Sequence, residues 1–160
     1  MTSCRICGAF SRTRCSITTG IPVTVAPLAE PTSRRQATSR ACGDSVVVEI
    51  QVDRVLDRVS AVSVITRGCT IAVSSGSLAA TAIEGADRQE AIRVLEDAIG
   101  RVEGRAASDS ASPLAPLDAV RDFPVRIGCA TLPLRALLSA LRDADAHHGP
   151  TPPPLIATTE

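Results

Sequence analysis

The sequence has almost no aromatic residues: its 160 residues include no Trp, no Tyr and two Phe, at positions 10 and 123. Apolar residues still make up 44% of the chain, so a core can form, but Val, Ile, Leu and Ala must fill it. The length fits one domain with tails. The aromatic side chains on which RNA bases usually stack are also missing.

The sequence has no excess of charge either, with 17 basic and 17 acidic residues. Nucleic-acid binders usually carry a basic excess, because phosphate neutralisation dominates their affinity. No apolar run approaches the roughly 20 residues of a spanning helix, and the N-terminus has no apolar segment typical of a signal peptide. We therefore expect a cytoplasmic protein that binds neither nucleic acid nor a membrane.

Six cysteines are present, although no export signal is recognised. Cytosolic thiols stay reduced, so spaced cysteines there indicate metal binding or catalysis rather than a disulfide framework. Three of them, Cys42, Cys69 and Cys129, stand beside the ends of predicted elements. The other three are Cys4, Cys7 and Cys15. We assign these three no function, because no second pair follows to complete a zinc knuckle.

Two runs of β-branched residues, at 46–52 and 59–65, are joined by a polar turn at Asp53–Asp57. This pattern predicts an antiparallel hairpin. A weaker strand is expected near Ser33–Ser39. Strands followed by helices are typical of the α+β class, so we expect a small antiparallel sheet of two clear strands and a possible third, packed with three or more helices.

Three helices are predicted after the hairpin. The first covers 74–84 and ends at Gly85, and the second begins at the N-cap Asp87. The last runs from about Cys129 to Leu141, with Pro133 in its first turn, where proline is tolerated.

The predicted organisation is a domain over residues 41–143 between two less ordered segments. Residues 1–40 are rich in Ser, Thr, Arg and Pro, and we expect them to be atypical and poorly ordered. The tail 144–160 is expected to be disordered. His147 and His148 in this tail could bind a metal weakly, but a disordered tail is the simpler interpretation.

The cysteines beside element ends can converge on one surface site. Asp44 follows Cys42 by two residues in an extended stretch, so both side chains point to the same side. With Cys69 and Cys129 they offer three thiolates and one carboxylate, which can complete a tetrahedral zinc site. A cysteine considered singly is often only a small buried apolar residue, and that alternative stays open for each.

Three segments of the sequence carry recognisable motifs. Ala41–Ser45 contains a Cys-Gly-Asp motif, and Arg67–Ser77 contains a Gly-Cys turn followed by a helix start. Phe123–Leu132 carries the third cysteine of the set. In type and order these segments resemble the motifs of the SufU-type members of the NifU/IscU-like iron–sulfur cluster assembly family, and the resemblance covers roughly Cys42 to Leu141.

The resemblance implies a zinc-dependent sulfur acceptor, a sulfurtransferase-like carrier rather than a conventional enzyme. It implies a SufS-like cysteine desulfurase as the partner that supplies persulfide sulfur. The implied zinc ligands are Cys42, Asp44, Cys69 and Cys129. Cys42 is the expected sulfur acceptor, and Arg126 is expected to orient Asp44 or a persulfide anion. The alternative for Arg126 is an ordinary surface arginine.

Two other functions stay open. The same three cysteines could carry an iron–sulfur cluster on a scaffold, because thiolates suit either metal. Gly128 stands where the IscU-type scaffolds have a His, which favours the sulfur acceptor. An inactive structural zinc module is the third possibility.

Residues 1–30 lack the first helix of the family, whose motif is similar to Leu-Asp-His-Tyr-Arg-Asn-Pro-Arg-Asn-Arg. When Cys15–Val25 is written in GC-rich codons and the frame is shifted by two bases, it can read Leu-Asp-His-His-Arg-His-Pro-Arg-His-Arg. Our hypothesis is that this segment is a frameshifted reading of that helix, with the frame restored near Ala26–Leu28. Codons in the encoding DNA that do not give this peptide would contradict it.

Overall fold

The computed structural model of the chain describes residues 26–144. The predictions for the first three cysteines, the frameshifted segment and the two histidines near the C-terminus lie outside these residues. Within them no helix is long and apolar enough to cross a membrane.

Three antiparallel strands form one sheet, in the order in which they occur along the chain. They are β1 (Ser33–Thr38), β2 (Ser45–Asp53) and β3 (Arg58–Arg67). The predicted hairpin is confirmed: Ser45 pairs with Arg67 at its open end. Asp53 pairs with Arg58 beside the turn. The β-branched residues that alternate along β2 are buried on the face that meets the helices, as a period of two requires.

The possible third strand of the prediction is β1, which lies within the segment expected to be poorly ordered. It pairs along its length with β2. The buried carboxylate of Glu49 accepts a hydrogen bond of 2.7 Å from the backbone N–H of Leu28 and lies 3.5 Å from the Arg34 guanidinium. On the same face, the Ser63 hydroxyl donates to the Ala26 carbonyl at 2.8 Å. Residues 26–38 are therefore tied to the sheet.

Three α-helices follow the sheet; the first and third pack against it, and the second packs mainly against the third. They are α1 (Thr70–Ile83), α2 (Arg88–Val102) and α3 (Pro124–Asp143), with a 3₁₀ helix (Ala115–Asp122) between the last two. The Asp87 carboxylate caps α2 by accepting from the backbone N–H of Gln89 at 3.0 Å, which confirms the predicted N-cap. The φ angle of +81° at Gly85, just after α1, confirms the predicted C-terminal glycine. The predicted α+β class is confirmed.

Two helix starts were predicted too late. α1 begins at Thr70, directly after Cys69, instead of at 74. α3 begins at Pro124 instead of near Cys129, because a proline in the first turn of a helix loses no hydrogen bond. Cys129 therefore lies in the second turn of α3, and Pro133 lies in the helix interior rather than in the first turn.

A buried arginine fixes the long connection between α2 and α3. The Arg101 side chain is fully buried, and its Nε donates to Asp118 Oδ1 at 3.0 Å. Its Nη2 donates to the Ser112 hydroxyl at 2.7 Å, and its Nη1 pairs with Asp97. Asp118 belongs to the 3₁₀ helix, so this cluster ties that helix to α2. The 3₁₀ helix in turn leads directly into α3 and Cys129.

Candidate metal centre

The open end of the hairpin brings two of the motifs together. A tight turn joins β1 and β2: the Ser39 N–H donates to the Asp44 carbonyl at 2.8 Å, and the Gly43 N–H donates to the Ser39 carbonyl at 2.9 Å. Gly43 has φ +74°, in the left-handed region that favours glycine. Because Ser45 pairs with Arg67, this turn lies beside the Gly68–Cys69 step at the end of β3.

Three of the four predicted ligands converge at this end of the sheet. The ligand atoms of Cys42, Asp44 and Cys129 all lie within 4.8 Å of one another. The two sulfur atoms are 3.5 Å apart. Cys42 is exposed, whereas Asp44 and Cys129 are 4% and 2% exposed. The cluster is therefore buried on one side and open to solvent on the other.

The fourth predicted ligand, Cys69, borders the cluster without belonging to this close set. Its backbone N–H donates to Asp44 Oδ1 at 3.1 Å, and its thiol is half-buried. Its side chain influences the pKa of both Asp44 and Cys129, so it lies on the same side of the site. A small movement at the start of α1 would be needed to bring its sulfur in as a fourth ligand.

The Asp44 carboxylate is buried and charged. The neighbouring Cys42 and Cys129 thiols hold the pKa of this carboxyl below its ordinary value, although burial acts in the opposite direction. Its Oδ2 atom is buried and has no hydrogen-bond partner among the described residues. A buried carboxylate oxygen without a partner is costly, and a bound cation would satisfy it. The donor set therefore fits a metal ion.

Gly68 is required by the close packing around Asp44. A Cβ atom at position 68 would overlap the carboxyl group and the Cβ of Asp44. Any larger residue would have to displace that carboxylate. The sequence shows this glycine, but only the structure gives the reason for it.

Burial dominates the chemistry of Cys129. It raises the pKa of the thiol to about 12, and the neighbouring Asp44 carboxylate adds to the shift. In the chain alone this sulfur therefore stays protonated at neutral pH. A bound cation would offset the cost of its thiolate.

Arg126 lies in the first turn of α3, three residues before Cys129, and is exposed. Between residues 26 and 144 its side chain makes no hydrogen bond or ion pair, so the Asp44 carboxylate is held by the Cys69 N–H rather than by this arginine. The role of Arg126 toward a persulfide anion stays a prediction.

Sequence reasoning missed the Ser39 hydroxyl, which accepts a hydrogen bond from the Cys42 thiol at 3.1 Å. It also missed two exposed apolar side chains beside the site, Phe123 at 59% and Val125 at 87% exposure. Ser39 stands three residues before Cys42 in the sequence, but only the structure shows that the turn brings the two side chains together.

Known proteins resemble a large part of this chain. A 30% identical relative from Streptococcus pyogenes, the iron–sulfur cluster assembly scaffold protein IscU, aligns over 71% of this chain and 72% of its own length. The zinc-dependent sulfurtransferase SufU of Bacillus subtilis is 32% identical over 60% of this chain and 65% of its own.

Solved structures share the fold. The N-terminal part of a NifU-like protein from Brucella abortus matches with a TM-score of 0.68 at 20% identity, over 77% of this chain and 85% of that one. A SufU-type scaffold candidate from Fervidobacterium islandicum also gives 0.68, at 24% identity, over 74% and 86%. The family model described as the NifU-like N terminal domain matches residues 22–130. The chain therefore belongs to the NifU-like N-terminal domain family of iron–sulfur cluster assembly proteins, as its motifs indicated.

Proposed function

We propose that this chain is a zinc-dependent sulfur acceptor that receives persulfide sulfur on Cys42 from a cysteine desulfurase. The observation that supports this most is the asymmetry of the cluster: Cys42 is an exposed residue, whereas Cys129 and Asp44 beside it are buried. A partner's persulfide can reach the exposed sulfur and cannot reach the buried one.

The zinc ligands in this proposal are Cys42, Asp44, Cys69 and Cys129. Zinc suits a mixed thiolate and carboxylate set, and the unpartnered Oδ2 of Asp44 supports a cation there. The ion, when bound, would keep the cysteines as thiolates at neutral pH and protect them from oxidation.

The residues around Cys42 suit an acceptor that must move. Cys42 belongs to a turn, next to Gly43 with its positive φ, and its thiol donates a hydrogen bond to the Ser39 hydroxyl of the same turn. It can therefore leave the cluster with little disturbance of the sheet. A thiolate attacks the outer sulfur of a persulfide, and the donor's own thiolate leaves.

The surface around the site suits a protein partner. Arg40, Arg67 and Arg126 each stand two or three residues before a cysteine of the site, and within residues 26–144 none of their side chains has an ion-pair partner. Most other arginines of that region do pair with a carboxylate. Exposed arginine and apolar side chains such as Phe123 and Val125 are common in protein interfaces. A partner with a complementary acidic rim would dock well here.

The test measures the metal content of the purified chain and its effect on desulfurase turnover, beside Cys42→Ala. We expect one equivalent of zinc in the original chain and loss of stimulation in Cys42→Ala. Val55→Ala, at a side chain 92% exposed in the turn at the far end of the hairpin, is the control and should stimulate normally. Unchanged stimulation by Cys42→Ala would reject the proposal.

A second candidate is an iron–sulfur cluster scaffold, which the name of the Streptococcus pyogenes relative supports. In this chain Gly128 is exposed beside Cys129 and offers no ligand atom. A brown protein that contains iron and sulfide would establish this candidate. Zinc without any effect on the desulfurase would instead indicate an inactive structural module.

A further inference from the structure

The Cys42 and Cys129 sulfur atoms form an unequal pair. They are 3.5 Å apart, and the Cys129 thiol points at the Cys42 sulfur as a hydrogen-bond donor. Cys42 is exposed, whereas Cys129 is 2% exposed. When a reagent from solvent modifies the Cys42 sulfur, the Cys129 sulfur therefore lies directly behind the modified atom.

We propose that Cys129 releases the sulfur accepted by Cys42 as free sulfide, by closing a Cys42–Cys129 disulfide; this inference rests on the proposed function for the arrival of the sulfur. The Cys129 sulfur attacks the Cys42 sulfur, a new S–S bond forms between the two cysteines, and the bond to the outer persulfide sulfur breaks. The electron pair of the broken bond leaves with the outer sulfur. That atom departs as hydrosulfide and takes up the proton that Cys129 gives up.

Redox balance needs no external oxidant in this step. The outer sulfur is reduced to sulfide, and the two cysteines together supply its electrons by becoming a disulfide. A further turnover requires a dithiol reductant to reopen the Cys42–Cys129 bond. The product is thus diffusible sulfide rather than sulfur that stays on the protein.

The direction of attack follows from the positions of the two sulfurs. Cys129 lies on the buried side of Cys42, so an added outer sulfur extends away from it toward solvent. The inner sulfur is consequently the nearer target, and the hydrosulfide leaves on the open side. Attack on the outer sulfur would merely move the persulfide to a buried position.

The geometry selects Cys129 rather than Cys69. The Cys69 sulfur lies outside the set of ligand atoms that are within 4.8 Å of one another, and its half-buried thiol stands at the start of α1. The gap of 3.5 Å between the other two sulfurs must close to a disulfide bond of about 2.05 Å. Movement of the turn that contains Cys42 and Gly43 can supply this small displacement.

The test follows single-turnover loading of the full chain with no thiol present beyond the sulfur donor, and released sulfide and intact protein mass are measured together. One arm loads sulfur with a cysteine desulfurase and cysteine, and the other with glutathione persulfide. The original chain should release one equivalent of sulfide and lose the mass of two hydrogens. Cys129→Ser should keep the mass of one added sulfur and release none.

Cys69→Ser is the matched comparison, because it also removes a predicted zinc ligand. If weaker zinc binding alone stopped sulfide release, both serine variants would behave alike. We expect the disulfide and the sulfide in Cys69→Ser, and peptide mapping should find Cys42 joined to Cys129. Zinc released with the sulfide, measured with a chromophoric chelator, is a further expected signal.

Two failures are distinguishable. A stable added sulfur on the original chain as well as on Cys129→Ser, in either arm, would overturn the role of Cys129 and leave the sulfur-acceptor function intact. Loading by glutathione persulfide but not by the desulfurase would reject the proposed function. Sulfide release from Cys129→Ser at the original rate would also overturn the inference.

Discussion

Replacing Gly68 with alanine should weaken zinc binding without unfolding the chain. The added Cβ would occupy the space of the Asp44 carboxyl group and Cβ. Both groups belong to the short side chain of Asp44, close to its backbone, so the overlap cannot be relieved by rotating the far end of a long side chain. Asp44 must then leave the position in which it accepts the Cys69 N–H at 3.1 Å.

The size of the effect follows from the hydrogen bond that is lost. A hydrogen bond to a charged acceptor contributes about 1.5–3 kcal/mol. Since about 1.4 kcal/mol corresponds to a factor of ten, zinc affinity should fall roughly ten- to a hundredfold. Asp44 is both the acceptor of this hydrogen bond and a proposed zinc ligand, so its displacement lowers the zinc affinity directly.

The assay is a zinc titration of the full chain in competition with a chromophoric chelator, and urea unfolding checks that the variant is folded. Gly128→Ala is the matched control, because nothing lies within 4 Å of a Cβ at that position. It should bind zinc normally, and its helical site should gain about 0.5–1 kcal/mol of stability. Normal zinc affinity in folded Gly68→Ala, or equal weakening in Gly128→Ala, would contradict this prediction.

Three further predictions concern other parts of the molecule. Metal-free protein should lose stability as pH rises from about 9 to 12, because burial raises the folded pKa of Cys129 from 9.0 to about 12 and the thiol therefore ionises first in the unfolded chain. The chain has no lysine or tyrosine that would titrate over the same range. Urea midpoints of Cys129→Ser should therefore fall less steeply with pH than those of the original chain. Arg101→Ala should lower the unfolding free energy by about 3 kcal/mol, because it leaves the Asp118 carboxylate without its buried partner; a loss below about 1 kcal/mol in urea would show that the cluster contributes little. Arg67→Glu should slow association with the desulfurase about tenfold at low salt, whereas Arg54→Glu in the far turn should not, as stopped-flow mixing would measure. Equal association rates for both variants would count against docking of the desulfurase on the surface around the metal site.

The sheet and two helix boundaries could be predicted because their signals are local. Alternating β-branched residues follow the pleat, and the turn at 53–57 fixes the hairpin. The Asp87 cap and the positive φ of Gly85 are each determined by a few neighbouring residues. β1 gave a weaker signal, because its stability comes from pairing with β2 and from Glu49, which are distant in sequence.

The start of α3 and the details of the site depended on tertiary structure. Helical periodicity is weak over the first turn of α3, where Val125 and Arg126 are exposed, so the sequence predicts a start near Cys129. Arginine is normally a surface residue, and nothing local indicates that Arg101 is fully buried. The motifs identified the ligand candidates. The separation of Cys69 from the closest three is a property of packing that spacing does not encode.

The proposed sulfur transfer requires that the sulfur first arrives on Cys42. We would give a desulfurase cysteine with radiolabelled sulfur, quench after one turnover, and map the labelled peptides of Cys129→Ser beside the original chain. We expect label on the peptide of Cys42 in the variant, and label on that peptide or in free sulfide with the original chain. Label on the peptide of Cys69, or no transfer to either chain, would contradict it.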